Sequence, residues 1–387
     1  MKEFHIAELK NYSENAIQLI DIRDEGSVIY GMIPGAIHIA FSQFENDMED
    51  CAGKLQKDKK IIVYCQRGEK SKDIASQLED LGFDSYSLAG GYNAFLMDCM
   101  QTDDLEESRK KAEESIRKKF HKSLFSPFAK ACKKYELIQD GDHIAVCISG
   151  GKDSMLMAKL FQEIQRHRQV SFDLTFLVMD PGYHAENRKL IENNAKRLGI
   201  PVTIFESTIF DTVDTIEKNP CYLCARMRRG YLYSKAKELG CNKIALGHHY
   251  DDVIETILMG MLHSGQIQTM MPKLHSTNFQ GMELIRPLYL VREDDICRWR
   301  DYNNLHFLQC ACHFTETCST CHEDGTTSSK RLETKKLIKK LKESNPYIEG
   351  NIFKSVENIN LDTVIEYKKN GVRHNFLDTY LSARGET

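Results

Sequence analysis

At 387 residues, 41% of them hydrophobic, the chain can bury more than one core, and its formal net charge of -4 excludes a uniformly basic nucleic-acid binder. No stretch approaches the roughly 18 apolar residues of a membrane span, and the first eight residues hold no apolar signal core, so a cytoplasmic protein without membrane association is expected. Thirteen cysteines, an odd number, favour thiols, metal ligands and sulfur chemistry over a disulfide framework.

From 16 to 100, short apolar runs at 17–22, 36–41, 61–64 and 86–88 alternate with helical patterns such as 74–81. Strands separated by helices predict a mainly parallel sheet, hence an α/β domain over 1–100. Residues 101–122 are charged and nearly core-free, which predicts a solvated helical linker. Between 109 and 134, ten Lys or Arg stand against two Glu. The strand and helix alternation resumes over 123–345, with strands at 143–148, 172–179, 202–205 and 243–246 and a helix at 186–198 stopped by Gly199, a second α/β domain. The segment 330–342 holds seven Lys or Arg against one Glu, and 346–387 is expected to be a helical extension.

In the first domain, Cys65 ends the run Lys60-Ile-Ile-Val-Tyr64 and opens Cys65-Gln-Arg-Gly-Glu-Lys-Ser71 before a helix. Backbone N–H groups, the helix N-terminus, Arg67 and Lys70 would all stabilise a thiolate, so Cys65 is expected to be a nucleophile rather than a buried structural thiol. A tyrosine-phosphatase loop carries arginine six residues after its cysteine. Here that position is Ser71, which favours sulfane-sulfur transfer. With Asp21-Ile-Arg23, Gly31-Met-Ile-Pro-Gly-Ala-Ile-His-Ile39 and Leu88-Ala-Gly-Gly-Tyr-Asn-Ala-Phe95, this domain resembles a single-domain rhodanese. The resemblance implies that Cys65 carries a persulfide in a cradle of amides. Lys70 stands where arginine is common in that family, and Phe95 where tryptophan is common.

In the second domain, the apolar strand 143–148 leads into Ser149-Gly-Gly-Lys-Asp-Ser154 and then a helix. Adjacent glycines let bare backbone approach an anion at a helix N-terminus, a phosphate cradle; a serine-glycine turn that merely caps a helix is the plainer alternative. The adjacent glycines, and Asp153 before Ser154, do not fit a Walker loop; the string resembles the PP-loop of ATP pyrophosphatases. Val178-Met-Asp180 and Ala245-Leu-Gly-His-His-Tyr-Asp-Asp252 end the neighbouring strands, so Asp180, Gly247, His248, Asp251 and Asp252 are expected beside the same nucleotide. Asp251 and Asp252 at a helix start are candidates for Mg²⁺, and Asp153 and Asp252 for catalysis.

Cys221-Tyr-Leu-Cys224 puts two sulfurs on one helical turn, free to bind one metal or cluster, and with Cys318 and Cys321 it could equally build a structural zinc site. Together with Ala225-Arg-Met-Arg-Arg-Gly230, Met271-Pro-Lys-Leu274 and Ile285-Arg-Pro-Leu288, these strings are similar to the tRNA 2-thiocytidine synthetase family over about 120–314. The resemblance implies a PP-loop doubly wound parallel sheet that binds ATP with Mg²⁺ at residues 149–154. It also implies a [4Fe-4S] cluster on Cys221, Cys224 and Cys310, with Cys312 as rival third ligand. The implied activity is ATP-dependent 2-thiolation of a tRNA cytidine, supplied with sulfur by Cys65. Arg226, Arg228 and Arg229 would meet tRNA phosphates. The implied partners are tRNA, a sulfur donor such as a cysteine desulfurase, and a second copy in a homodimer. Rival readings are 2-thiouridine or 4-thiouridine synthesis, lysidine ligation, and a non-enzymatic sulfide- and ATP-responsive binding protein.

Overall fold

The computed structural model describes residues 2–9, 11–13, 15–28, 31–101, 104–183, 185–207, 220–307 and 330–382, with backbone alone at 100–101, 220–226, 379 and 381–382. These fall into two compact units, one of residues up to 251 with 271–307, the other of 252–270 with the residues from 330 on.

The first unit opens with a five-stranded sheet of β1 (Glu3–Phe4), β2 (Ile17–Asp21), β3 (Ile37–His38), β4 (Lys60–Tyr64) and β5 (Ser85–Leu88), in the order β1-β5-β4-β2-β3. Every pairing is parallel, with Ile20 opposite Val63 and Val63 opposite Ser87. Parallel neighbours need crossovers. These run through the helices α1 (Ile6–Leu9), α2 (Glu25–Val28), α3 (Phe41–Asn46), α4 (Met48–Gly53) and α5 (Lys70–Asp80), and α6 (Gly91–Gln101) follows β5. Both faces of β4 are covered, so Ile61, Ile62, Val63 and Tyr64 are all fully buried and the strand is a continuous apolar run rather than an alternating one.

The charged segment after α6 forms α7 (Leu105–Arg117), capped by Asp104, whose side chain accepts the Glu106 and Glu107 N–H groups. The expected solvated linker is only half right. Ala112 and Ile116, with Phe120 beyond the helix end, recur at every fourth residue and are buried. Arg117 Nε donates to Glu163 at 2.8 Å, Lys159 Nζ donates to Glu113 at 2.9 Å, and Asn303 Nδ2 donates to Ser115 Oγ at 3.1 Å. The high charge count conceals this narrow stripe. A π-helical turn at His121–Phe125 and helix α8 (Ser126–Lys134) lead into the second sheet.

That six-stranded sheet holds β6 (Asp142–Ile148), β7 (Phe172–Asp180), β8 (Val202–Glu206), β9 (Lys243–Ala245), β10 (Lys273–His275) and β11 (Glu283–Ile285), in the order β10-β11-β9-β6-β7-β8. All pairings are parallel except the three-residue edge strand β10, which runs antiparallel to β11. Helices α9 (Lys152–Arg166), α10 (Ala185–Leu198), α11 (Pro220–Glu238), α12 (Tyr250–Ser264) and α13 (Glu293–Tyr302) connect or flank them. The chain winds outward from β6 through β7 to β8, then returns to place β9 on the other side of β6. The winding reverses there, and in such sheets the crevice at the carboxyl ends of the strands is where ligands bind. The two sheets are not independent lobes: Tyr92 and Leu96 of α6 share one buried cluster with Ile116, Leu190 and Ile191.

In the second unit, α14 (Lys330–Ser344) and α15 (Ile348–Ser355) precede a hairpin of β12 (Glu366–Lys369) and β13 (Val372–Asn375), followed by α16 (Phe376–Ser382). The helical extension expected over 346–387 thus also contains a two-stranded hairpin. The hairpin arises from Asn370 and Gly371, both at positive φ (52° and 83°), the pairing that two-residue hairpin turns require.

Candidate functional site

At the carboxyl end of β4, Cys65 is 7% exposed at the floor of a cup. Its Sγ accepts the Gly68 N–H at 3.1 Å and the Ser71 hydroxyl at 3.6 Å, and Ser71 Oγ lies 2.9 Å from Ser87 Oγ. Amide and hydroxyl donors converging on one sulfur stabilise negative charge there. The cup depends on bare backbone: a Cβ on Gly91 (φ +57°) would sit 2.4 Å from the Cys65 carbonyl oxygen and 2.6 Å from the Gly68 nitrogen. Lys70, expected beside the sulfur, places its Nζ 5.3 Å from the centre of the Phe41 ring. Sequence reasoning had not singled out Arg23, which forms a buried ion pair with Asp21 (2.6 Å) and lies 3.7 Å over the Tyr92 ring.

The second site lies where β6 and β9 meet the start of α9. The Ser149 N–H donates to Ser154 Oγ at 3.1 Å, and Ser154 Oγ donates to the Gly151 carbonyl at 3.0 Å, which fixes the loop as a tight cradle. Gly150 (φ +85°) packs so closely on α10 that a Cβ would stand 2.5 Å from Ile191 Cγ1, and one on Gly247 would stand 3.2 Å from the Ser154 nitrogen. Beside the loop lies a cavity of about 250 Å³, lined by Ser149, Ser154 and His248 on its polar side and by Met179, Leu232 and Leu246 among its apolar walls. Polar loop amides beside an apolar slot suit a phosphate chain attached to a flat base. Cys147 also lines it, and burial pushes its thiol up to about 12, so it stays protonated.

The remaining expected residues are placed unequally. Lys152 is 2% exposed and donates to Glu293 at 3.1 Å and to Asp153 Oδ2 at 3.2 Å. Asp153 Oδ1 is buried and accepts no hydrogen bond, with Lys152 Nζ at 3.2 Å and His249 Nε2 at 3.9 Å. Asp180 accepts the Gly182 and Tyr183 N–H groups at 2.9 and 2.7 Å and the Arg188 guanidinium at 3.2 Å, so it shapes the turn after β7. Asp251 accepts bonds from Arg292 at 3.0, 3.2 and 3.3 Å and from the Glu293 N–H at 2.7 Å. Asp252 belongs to the second unit, where Arg331 donates to it at 2.8 Å. Arg228, expected on tRNA, lines the cavity and donates to the Tyr183 hydroxyl at 2.8 Å, while Arg229 is exposed. Cys221 and Cys224 lie in the first turns of α11 with only their backbone described, as does Arg226. Cys310, Cys312, Cys318 and Cys321 lie outside the described residues.

A strand, a glycine-paired turn and a helix meet at the winding reversal of this sheet, and residues 116–312 match the family described as the PP-loop domain. Residues 5–98 match the rhodanese-like domain. The chain is 33% identical over 247 residues to a tRNA-cytidine(32) 2-sulfurtransferase of Anaeromyxobacter sp. (strain Fw109-5), covering 62% of this chain and 77% of that one. To the enzyme of the same name from Acaryochloris marina (strain MBIC 11017) it is 34% identical over 252 residues, 64% of this chain and 85% of the relative. The chain belongs to this family of tRNA sulfurtransferases, with a rhodanese-like domain at its amino-terminal side. It is also similar to the U34-tRNA thiolase NcsA from Methanococcus maripaludis with its [4Fe-4S] cluster. That likeness has 22% identity and a TM-score of 0.48, over 60% of this chain and 76% of that one.

Proposed function

We propose that the chain thiolates a tRNA cytidine at C2, using ATP to activate the base and Cys65 to supply the sulfur. The observation that carries this reading is the presence in one compact unit of a sulfur cup at Cys65 and a nucleotide cradle at residues 149–154.

The C2 carbonyl oxygen attacks the α-phosphorus of ATP, and pyrophosphate leaves with the electrons of the broken P–O bond. Ser149 and Ser154, which line the cavity, and the neighbouring Gly150 and Gly151 are our candidates for holding the phosphates, and His248 faces the same cavity. Asp153 is our candidate carboxylate for Mg²⁺: its Oδ1 accepts no hydrogen bond, and Lys152 Nζ, 3.2 Å from that oxygen, has to move aside for the cation. Asp251 and Asp252 act through Arg292 and Arg331 unless those pairs open. Sulfide then adds to C2, and the C–O bond to AMP breaks, giving the thiolated base.

Cys221 and Cys224, three residues apart at the start of α11, fit two ligands of one centre, with Cys310 or Cys312 as the third. A [4Fe-4S] cluster held by these cysteines would supply Lewis-acidic iron for inorganic sulfide. Cys65 stores sulfur as a persulfide; release of its outer atom as sulfide takes two electrons from a thiol reductant and leaves the Cys65 thiol. The donor that loads it is of the cysteine desulfurase type, and Arg229 contributes to phosphate contacts with an anticodon loop.

The test is tRNA-dependent conversion of ATP to AMP and pyrophosphate, with nucleoside mass spectrometry of the tRNA. Appearance of 2-thiocytidine supports the reading; AMP formation without a thionucleoside refutes it.

A further inference from the structure

We infer that Asn93 and Glu186 are positioning residues that hold the Cys65 loop on helix α10, so that the sulfur carrier is docked on the nucleotide domain and does not swing from a tether. What the docking serves rests on the functional reading above; the docking itself rests on geometry.

Gln66, next to the carrier cysteine, is bound to Asn93 twice: its carbonyl accepts the Asn93 N–H at 3.1 Å, and its Nε2 donates to Asn93 Oδ1 at 2.6 Å. Asn93 Nδ2 in turn donates to Glu186 Oε2 at 3.4 Å, in the first turn of α10. Asn93 is 8% exposed, so its amide finds these partners inside the protein; leaving such a group unpaired costs about 1–3 kcal/mol. The gap enclosed by Asn93, Met97, Glu186, Asn187 and Leu190 is only about 10 Å³, no more than one water's room. Two residues further along α6, the Phe95 ring meets His306 edge-on at 5.5 Å, and the His306 carbonyl is held by Asn194 of α10 at 2.8 Å.

The same helix reaches the nucleotide cradle. Arg188 binds Asp180 at the end of β7, and Ile191 fills the space beside Gly150. Glu186 and Ile191 are five residues apart, about 7.5 Å along a helix. A single stiff rod therefore carries both the anchor of the sulfur loop and the side chain that abuts the phosphate loop. A carrier on a free tether would leave Asn93, Tyr92 and Leu96 in water.

The experiment uses the full chain with Cys65 loaded from thiosulfate. Three rates are compared in Asn93→Leu and Glu186→Ala: discharge of the persulfide to cyanide, tRNA thiolation from the persulfide, and tRNA thiolation from added sulfide. Thiolation from the persulfide should fall by about tenfold or more, the scale set by small misplacements of reacting groups, while the other two rates hold within about twofold. Glu186→Gln, whose amide oxygen still accepts from Asn93, should restore the rate. Equal losses with both sulfur sources, or no loss, would overturn the inference. Hydrogen exchange of the amides at 92–97 reads the docking without any turnover: protection comparable to β4 supports it, and exchange at the rate of a frayed helix defeats it. If the wild-type chain thiolates with neither source, the functional reading fails, and the exchange result still decides the docking.

Discussion

Replacing Gly150 with alanine tests whether the nucleotide cradle is shaped by contact with α10. The added Cβ would stand 2.5 Å from Ile191 Cγ1 and 2.9 Å from Cδ1, and Ile191 is 1% exposed, so it has little room to retreat. Two costs combine. Holding an L-residue at φ +85° costs about 1–2 kcal/mol, and overpacking a filled core costs about 1–3 kcal/mol. Their sum, about 2–5 kcal/mol, is a large share of the roughly 5–15 kcal/mol that keeps a domain folded. The two parts separate in a double-mutant cycle with Ile191→Ala, which removes Cγ1 and Cδ1 and by itself costs about 2–5 kcal/mol as a core truncation. Urea unfolding of the wild type, both single variants and the double variant gives the coupling. The double variant should be more stable than the sum of the singles predicts by about 1–3 kcal/mol, with part of the ATP turnover recovered. Strict additivity would refute the steric argument and leave backbone strain as the whole cost.

Cys65→Ser should abolish sulfur transfer from thiosulfate to cyanide and leave sulfide-supported tRNA thiolation within about twofold, since only the carrier is removed; loss of both in the same assay would contradict the assignment. Cys224→Ser, purified without oxygen beside the wild type, should lose its iron and brown colour on metal analysis and visible spectroscopy; equal zinc in both proteins and no iron in either would point to a structural knot instead. Burial alone would raise the Glu113 carboxyl, but Lys159 at 2.9 Å and Arg109 outweigh it and hold it below its ordinary 4.5. The unfolded chain then takes up this proton first on acidification. The stabilisation is complete above 4.5 and is lost as pH falls through the lower folded value. Melts of Glu113→Gln should show less loss of stability than the wild type across that acid range, and parallel curves would refute the linkage. Arg229→Glu should weaken tRNA binding and lower the slope of log affinity against log salt by about 1; an unchanged slope in filter binding removes Arg229 from the interface.

Much of this architecture is legible in the chain. Buried parallel strands announce themselves as unbroken apolar runs, as at 61–64 and 143–148, and the cradle as paired glycines between a strand and a helix. The direction of a side chain is another matter. Lys152 and Asp153 are adjacent in the chain, and Lys152 Nζ bridges Asp153 to Glu293, 141 positions later, with His249 Nε2 3.9 Å from the one carboxylate and 4.0 Å from the other. Only the packing of α13 against α9 decides that, and no local spacing encodes it. Arg228 sits among basic residues that look like an RNA contact, and it is the distant Tyr183 that draws it to the cavity wall. The stripe on α7 is written at four-residue intervals, and charge content alone hides it.

That stripe also decides where the molecule can be divided. The PP-loop match begins at residue 116, inside α7, and a fragment started there would discard Glu113 and Ala112. Lys159, 2% exposed, would keep Gln162 and the Leu198 carbonyl but lose its carboxylate, and the core would open where Ala112 had been. A truncation meant to yield a free-standing second domain keeps the stripe and its cap only if it begins no later than Asp104.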